Sequence, residues 1–280
     1  MKAISLYREK IDLKDVFSKL GLYLNPKFWN YSPLFDVKIE TPHYILKTAN
    51  NLDQVFEAFK LRHQVFLGYE GADENSSYDY DEFDNICDHL IIIDKSSGDV
   101  CGTYRILSSL KSSRFYSETE FGLTDFLQTP GVKMELGRAC IDELHRNGAV
   151  IDLLWKGIAQ YAHLMNARYL FGCSSVKTLD YTQARSLYDF LICHNHHSDD
   201  FKIRSHGVFE VDILEHSNYD LSGGEIKSLM PSLLRSYLSA GARVYGYPAI
   251  DREFKCFDFF TVLDLENVSS SFKRRYFKNY

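Results

Sequence analysis

The chain has 280 residues, 38 acidic against 32 basic, with 45% apolar and 25% charged content. This is an ordinary globular composition that excludes a disordered chain or a collagen-like repeat and suits one large domain or two small ones. A net charge of −6 argues against a nucleic-acid partner, whose footprint is a basic excess or stripe.

In chain order, residues 1–43 read as an N-terminal extension. Ile11, Leu13, Val16, Phe17 and Leu20 form a loose amphipathic pattern ahead of the Asn25-Pro26 and Ser32-Pro33 breaks, either a packed arm or a surface helix. Residues 43–48 are expected as a strand, and Asn51 caps a helix with Leu52, Val55, Phe56, Phe59 and Phe66 on one face. Seven acids follow between positions 70 and 84, Glu70, Asp73, Glu74, Asp79, Asp81, Glu82 and Asp84, with no Lys or Arg among them. The acidity of the chain is therefore concentrated in one segment, which suits a cationic small ligand or a solvated loop. Residues 89–94 and 100–107 pair as strands across a turn with Gly98 at its tip.

Residues 132–141 read as a further strand, and after Gly148 the positions Ile151, Leu154, Trp155, Ile158, Ala162 and Met165 keep helical spacing. A short buried strand is expected over 169–173, helices over 183–191 and 229–240, and a last strand over 256–263. This order suits an α/β (α+β) fold with a mixed central sheet and helices on both faces. No apolar run approaches the roughly 18 residues of a membrane span, and charges at Arg8, Glu9, Lys10 and Asp12 precede any signal-peptide core. Six cysteines, Cys87, Cys101, Cys140, Cys173, Cys193 and Cys256, stand singly without paired spacing, as in a reducing cytoplasm.

Chemistry is expected where charges interrupt buried elements. Arg105 lies near the end of one such strand, and Glu135 and Arg138 lie inside Met134-Glu135-Leu136-Gly137-Arg138-Ala139-Cys140. Charges in a central strand are costly unless paired or turned toward a polar cleft. Residues three apart on a regular strand face opposite ways, so Glu135 and Arg138 share a cleft only if the pleat breaks, and Gly137 is the natural bulge. Such a bulge turns a backbone N–H outward, where it can stabilise an oxyanion. The alternative is a structural Glu135–Arg138 salt bridge.

The series Leu61-Arg62-His63-Gln64-Val65-Phe66, Asp81-Glu82-Phe83-Asp84, Cys87-Asp88-His89-Leu90, Gly102-Thr103-Tyr104-Arg105, Phe115-Tyr116-Ser117 through Glu120-Phe121, and Glu135-Leu136-Gly137-Arg138 resembles the bacterial ornithine N-acyltransferases of ornithine-lipid synthesis. So do Leu153-Leu154-Trp155-Lys156-Gly157-Ile158, Phe171-Gly172-Cys173 and Leu233-Leu234-Arg235-Ser236-Tyr237-Leu238, and the resemblance covers residues 44–280. It implies one GNAT-like acyltransferase domain, similar in pattern to the acyl-homoserine lactone synthases. The implied reaction moves a fatty acyl group, usually 3-hydroxylated, from acyl carrier protein to the α-amine of ornithine, giving a lyso-ornithine lipid. No permanently bound cofactor or metal is implied, the donor being the acyl-phosphopantetheine of the carrier.

By the same resemblance, the positions matching Arg62, Phe66, Asp81, Asp84, Arg105, Glu135 and Arg138 form the substrate and catalytic region. The chemistry agrees. Glu135 would take the ammonium proton, an N–H at the Gly137 bulge would hold the oxyanion, Asp81 and Asp84 would suit the acceptor's cations, and Arg105 or Arg138 its carboxylate. Arg62 would brace the acidic loop or the phosphopantetheine.

Two departures shape the expectation. GNAT enzymes bind the CoA pyrophosphate through an Arg or Gln, two spacers and Gly-x-Gly or Gly-x-Ala at a helix N-terminus. Here the run is His145-Arg146-Asn147-Gly148-Ala149-Val150, which favours a carrier protein over CoA. Lactone synthases have a Trp shortly after the helix-end Phe, whereas Phe66 is followed by Leu67, Gly68 and Tyr69, so lactone synthesis from S-adenosylmethionine is the second reading. Glycine or lysine as acceptor, or a non-catalytic acyl-binding module, are further alternatives.

Other features are weaker. Cys193-His194-Asn195-His196-His197 with Asp199 and Asp200 reads as a polar loop rather than a zinc site, and Cys173 as a small residue lining the acyl path. The tail, Ser271-Phe272-Lys273-Arg274-Arg275-Tyr276-Phe277-Lys278-Asn279-Tyr280, mixes cations with aromatics in a way that suits the anionic inner face of the cytoplasmic membrane; a docked terminus is the alternative. Lys133, Arg146, Lys156 and Arg168 are candidates for an acidic carrier surface, and part of the aromatic content, 19 Tyr, 20 Phe and 2 Trp, for an acyl groove.

Overall fold

The computed structural model describes residues 13–67, 77–215 and 221–278; Ile11, Gly68, Tyr69, Glu70, Asp73, Glu74, Asn279 and Tyr280 lie outside them. The chain begins with helix α1 (Leu13–Leu24) and strand β1 (Lys38–Glu40), which pairs antiparallel with β2 (Tyr44–Thr48). Leu22, Phe28 and Val37 of this first stretch are buried, so it packs on the rest of the chain as an arm. Helix α2 (Leu52–Arg62) starts at Asn51, whose Oδ1 accepts the Gln54 N–H at 3.0 Å. Its apolar face, Val55, Phe56 and Phe59, closes against Leu22, Phe28 and Ile91. A π-type turn (His63–Leu67) then re-aims the chain at Phe66.

Strands β3 (Asp88–Asp94) and β4 (Val100–Ser108) form the expected hairpin, with Gly98 at φ 84° in its turn. Leu90 and Ile92 face one core and Ile91 the opposite one, the two-residue period of a strand covered on both sides. A short ribbon strand β5 (Phe121–Gly122) and helix α3 (Thr124–Leu127) lead to β6 (Val132–Ile141). Helix α4 (Gly148–Met165) is capped by Asn147, whose Oδ1 accepts the Ala149 and Val150 N–H groups, and it buries Leu154, Trp155 and Ile158.

The expected strand at 169–173 extends to β7 (Ala167–Val176), because Gly172–Val176 pair with the last strand. Helix α5 (Tyr181–Cys193) precedes the two-residue strands β8 (His197–Ser198) and β9 (Arg204–Ser205). The helix expected over 229–240 is two helices, α6 (Gly223–Leu229) and α7 (Ser232–Ala240), since Pro231 lacks the N–H a continuous helix needs. Strands β10 (Arg243–Tyr245), β11 (Ala249–Asp251) and β12 (Cys256–Asp264) and helix α8 (Ser270–Tyr276) complete the chain. The main sheet has ten strands in the order β1-β2-β3-β4-β6-β7-β12-β10-β8 with β11 beside β12. Among the described residues, only the β6–β7 and β10–β8 pairs are parallel.

The tail is docked. Phe272 and Tyr276 lie 4.7 and 6.1 Å from the Trp155 ring, and Arg275 Nε and Tyr276 Oη donate to Asp152 at 2.9 and 2.8 Å. No described helix is long and apolar enough to cross a membrane.

Candidate active site

The site follows from how β6 and β7 part. Their parallel register runs from Val132↔Ala167 to Glu135↔Phe171 and stops; beyond it β6 pairs only with β4, and β7 only with β12. At the fork Gly172 leaves room for the Leu136 carbonyl, which would stand 2.3 Å from any Cβ there. The opening holds a cavity of about 280 Å³ bordered by Phe66, Tyr104, Glu135, Gly137, Arg138 and Cys173, among others.

Glu135 is 5% exposed at this fork. Its Oε1 accepts the Ser117 N–H and Oγ–H at 2.7 Å each, and Oε2 accepts the Tyr116 N–H at 2.8 Å. Three of about four lone-pair directions are thus used, leaving one on Oε2. Burial pushes the carboxyl above its ordinary value, against the opposing pull of the Ser117 and Tyr116 hydrogen bonds and the Arg105 charge.

The expected bulge is present, one residue later than expected. Thr103 pairs with Cys140 and Arg105 with Gly137, so Arg138 and Ala139 oppose Tyr104 alone. The residue at positive φ is Arg138 (50°), not Gly137. This turn sends the Arg138 guanidinium over the rings of Tyr116 and Phe254, 5.0 and 4.8 Å from their centroids, and puts it in one cleft with Glu135 without a salt bridge between them.

The structure corrects the reading of the acidic segment. Asp84 has no exposure, and its oxygens accept from Arg62 Nη1 and Nη2 at 2.7 and 2.9 Å and from the Asp81 N–H at 2.8 Å. Asp79 accepts from Arg62 Nε at 2.6 Å, and Asp81 from Arg105 Nη1 at 2.7 Å and Arg138 Nη2 at 3.2 Å. The segment is a web in which three arginines neutralise three aspartates. Asp84 is closed to a ligand, and Asp81 is already bound twice. Arg62 braces the acidic loop, one of the two roles expected of it.

Phe66, Arg105, Glu135, Gly137, Arg138 and Cys173 therefore meet at one cavity, while Asp81 faces a second hollow of about 490 Å³ across Arg138 and Arg62 and Asp84 lie behind the wall. Cys173 Sγ lies 3.5 Å from Ser117 Oγ, and burial beside Glu120 and Asp258 raises its thiol well above the ordinary value, which disfavours a nucleophilic thiolate. Of the proposed carrier surface, Lys133 is buried and bonded to the Thr129 and Gly131 carbonyls, and Arg168 pairs with Asp264 and Glu266. Both stand at the start of β6 and β7, whereas Arg146 follows the far end of β6; a ten-residue strand, about 30 Å long, separates them. They share no face.

Three further carboxyls line the cavity that the sequence reading missed: Glu120, Asp251 and Asp258, all at most 5% exposed. Asp258 was within reach of the rule that found Glu135, since it too interrupts a strand that reads as buried. Glu120 stands within the quoted motif ending at Phe121.

Residues 61–156 match the acetyltransferase (GNAT) domain family. The chain is 28% identical to an L-ornithine N(alpha)-acyltransferase of Rhodobacter capsulatus over 248 residues, 83% of this chain and 94% of that protein. It is also 28% identical to an L-ornithine N(alpha)-acyltransferase of Brucella abortus, across 81% of this chain and 86% of that one. Among solved structures it is similar to the AHL synthase LasI, at 13% identity and a TM-score of 0.47, covering 84% of this chain and 95% of that chain. The resemblance carried by the motifs is borne out, and residues 61–156, from the end of α2 into α4, carry the GNAT domain match.

Proposed function

We propose that the chain is an N-acyltransferase that moves a (3-hydroxy)fatty acyl group from acyl carrier protein to the α-amine of ornithine. The observation that carries this reading is Glu135, a buried carboxyl with one free lone-pair direction and a raised proton affinity, placed where β6 and β7 part beside a bulge and an arginine. The relatives' names supply ornithine as the acceptor.

In this mechanism Glu135 takes the proton of the α-ammonium, directly or through water. The amine nitrogen attacks the thioester carbonyl carbon, and a backbone N–H of the Gly137–Arg138–Ala139 bulge stabilises the oxyanion. The C–S bond then breaks and the phosphopantetheine sulfur leaves and takes up a proton. Arg138 suits the acceptor carboxylate, because its Nε is buried with no hydrogen-bond partner and its guanidinium meets Asp81 at only 3.2 Å. Arg105, 3% exposed and tied to Asp81 and Asp84, suits positioning rather than binding.

A carrier-protein donor is supported at the start of α4. The Asn147 side chain occupies the Ala149 and Val150 amides that a CoA pyrophosphate would need. The acyl chain would lie along the apolar part of the cleft, lined by Phe66, Tyr104, Leu107, Leu136 and Leu233. Many of the aromatics serve the core instead: Phe126 packs against Phe171, Phe201 and Phe260 with ring centres 5.0–5.6 Å apart. An amphiphilic product suits work at the inner face of the cytoplasmic membrane, with exposed Lys273 and Arg274 as its basic contacts.

The test mixes purified protein with long-chain 3-hydroxyacyl carrier protein and a panel of amino acids, measuring released carrier thiol and product mass. Acyl-ornithine is the expected product. Thiol release with glycine, lysine or S-adenosylmethionine alone would reassign the acceptor, and no reaction with any amine would leave a binding module.

A further inference from the structure

Glu120, Asp251 and Asp258 lie on three separate pieces of chain, after the 3₁₀ turn Tyr116–Thr119, at the end of β11 and near the start of β12, and they converge on one wall of the cavity. Three buried carboxyls need cations or donors. Asp251 Oδ1 accepts the Glu253 and Phe254 N–H groups at 2.9 Å each, and Asp258 accepts from Ser175 Oγ at 2.6 Å and from the Cys256 thiol at 3.4 Å. Glu120, 1% exposed, has a buried Oε2 with no partner at all. Arg138, which Asp81 already shares, faces Glu120 and Asp258, and Lys177, whose Nζ donates to the Phe254 carbonyl, borders the same cavity beside Cys256. This corner is thus an anionic recess with an unsatisfied acceptor, unlike the neutralised web of Arg62, Arg105 and Arg138.

Its position relative to the proposed chemistry is defined. From Glu135 the wall continues through Ser117 to Cys173, whose surroundings include both Glu120 and Asp258. The recess is therefore a second carboxyl pole of the same cavity, set apart from the proposed base by Ser117 and Cys173, with Arg138 bordering both.

We infer that Glu120, Asp258 and Asp251 form the subsite for the side-chain ammonium of the acceptor, Glu120 Oε2 taking one of its N–H donors. The inference rests on the reading of the chain as an amino-acid N-acyltransferase and assigns its acceptor specificity. In this placement the α-amine lies at Glu135, the three-methylene arm runs past Ser117 and Cys173 to the terminal ammonium in the recess, and Arg138 holds the carboxylate, giving three-point recognition of a dibasic amino acid. The electrostatics of the recess agree: burial and the charges of Asp258 and Asp251 push Glu120 up to about 9, against the opposing pull of Cys173 and Arg138, so an arriving ammonium would displace a proton.

The test is calorimetric titration of the full chain with L-ornithine and with L-norleucine, which replaces the terminal ammonium by a methyl group. Wild type should bind ornithine at least ~30-fold more tightly, and Glu120→Gln and Asp258→Asn should each bring that ratio toward one, as loss of a buried charge partner does. Ornithine binding near pH 7.5, repeated in buffers of different ionisation enthalpy, should release about one proton that norleucine does not release; this wild-type measurement decides the matter if a variant does not fold. No preference in wild type, equal loss of both ligands in the variants, or no difference in proton release would overturn the subsite. So would tight binding of Mn²⁺ or Zn²⁺ that Asp258→Asn abolishes without affecting ornithine, since Asp251, Cys256 and Asp258 have the spacing of a metal set. If wild type prefers ornithine but transfers no acyl group to it, the reaction reading fails and the subsite stands. If it acylates ornithine while Glu120→Gln keeps the preference, the reverse holds.

Discussion

Arg62 and Asp84 meet with no exposure on either side, through parallel hydrogen bonds of 2.7 and 2.9 Å. Burial alone would raise the Asp84 carboxyl, but the charges of Arg62 and Arg105 overcome it and hold the group well below the usual carboxylate range. The pair pins residues 79–84 against α2 and so builds the wall to which Arg105 of β4 and Arg138 of β6 are bonded through Asp81. Asp84→Asn should cost about 3–5 kcal/mol, because it takes one of two carboxylates from the buried Arg62 guanidinium and leaves only Asp79. At roughly 2–4 °C per kcal/mol for a chain of this size, the melting point should fall by about 6–20 °C. A drop of under a degree would show that the web does not hold this wall.

Glu135→Gln keeps the shape of the side chain and removes the base. Its amide oxygen can still accept from Ser117 or Tyr116, so the fold should survive with a modest loss of stability. The acyl-transfer rate should fall ~10²–10⁴-fold at saturating ornithine. Because burial raises the wild-type carboxyl, kcat/KM should decline on acidification with an apparent pKa above the ordinary glutamate value. Near-wild-type turnover would remove Glu135 from the base role and leave it as the anchor of the Tyr116–Thr119 turn.

The parts of the site that sequence exposed are those in which charge contradicts local pattern. Arg105, Glu135 and Arg138 stood out because strands that read as buried do not normally carry them, and the need for a bulge followed from their spacing. The pattern did not say which residue would take the left-handed conformation, because Arg138 reaches φ 50° only where its guanidinium gains the Tyr116 and Phe254 faces, a tertiary effect. The acidic segment misled for a related reason. A run of acids without nearby bases in sequence looks unneutralised, yet Arg62, Arg105 and Arg138 reach it from α2, β4 and β6. The recess of Glu120, Asp251 and Asp258 is assembled from pieces up to 138 residues apart in the numbering, a distance over which sequence pattern carries no signal. Short strands such as β8 and β10 were missed because two or three residues hold too little periodicity to read.

Glu120 and His89 pull stability in opposite directions with pH. Burial holds His89 down to about 4, with Asp84 opposing, so the unfolded chain binds the extra proton between about 4 and 6.5 and stability rises with pH in that window. Glu120 is held up to about 9, so the folded chain keeps a proton that the unfolded one loses above about 4.5, and stability falls as pH rises from there toward 9. The two slopes offset each other up to about pH 6.5, after which the Glu120 loss stands alone. Glu120→Gln should therefore melt close to wild type near pH 4 and progressively higher than wild type from pH 7 to 9. Parallel melting curves across that range would show that Glu120 is not held protonated in the recess.

Gly172 sets the opening angle of the fork. Its register partner on β12 is Thr261, while the space a Cβ would fill is taken by the Leu136 carbonyl at 2.3 Å, a backbone atom that cannot turn aside. Gly172→Ala must push β6 away from β7 just beyond Glu135↔Phe171, the last pair holding them together. The strain should cost about 1–3 kcal/mol of stability, as overpacking does. The functional loss should be larger, because a shift of about 1 Å between Glu135 on β6 and the Cys173 wall on β7 can cost ~10²-fold in rate. Measuring kcat/KM on the folded fraction at a temperature well below melting separates the two effects. A variant that melts lower but reacts at the wild-type rate would place the reacting carbonyl away from the fork, whereas a rate loss beyond the stability loss puts it between the parted strands.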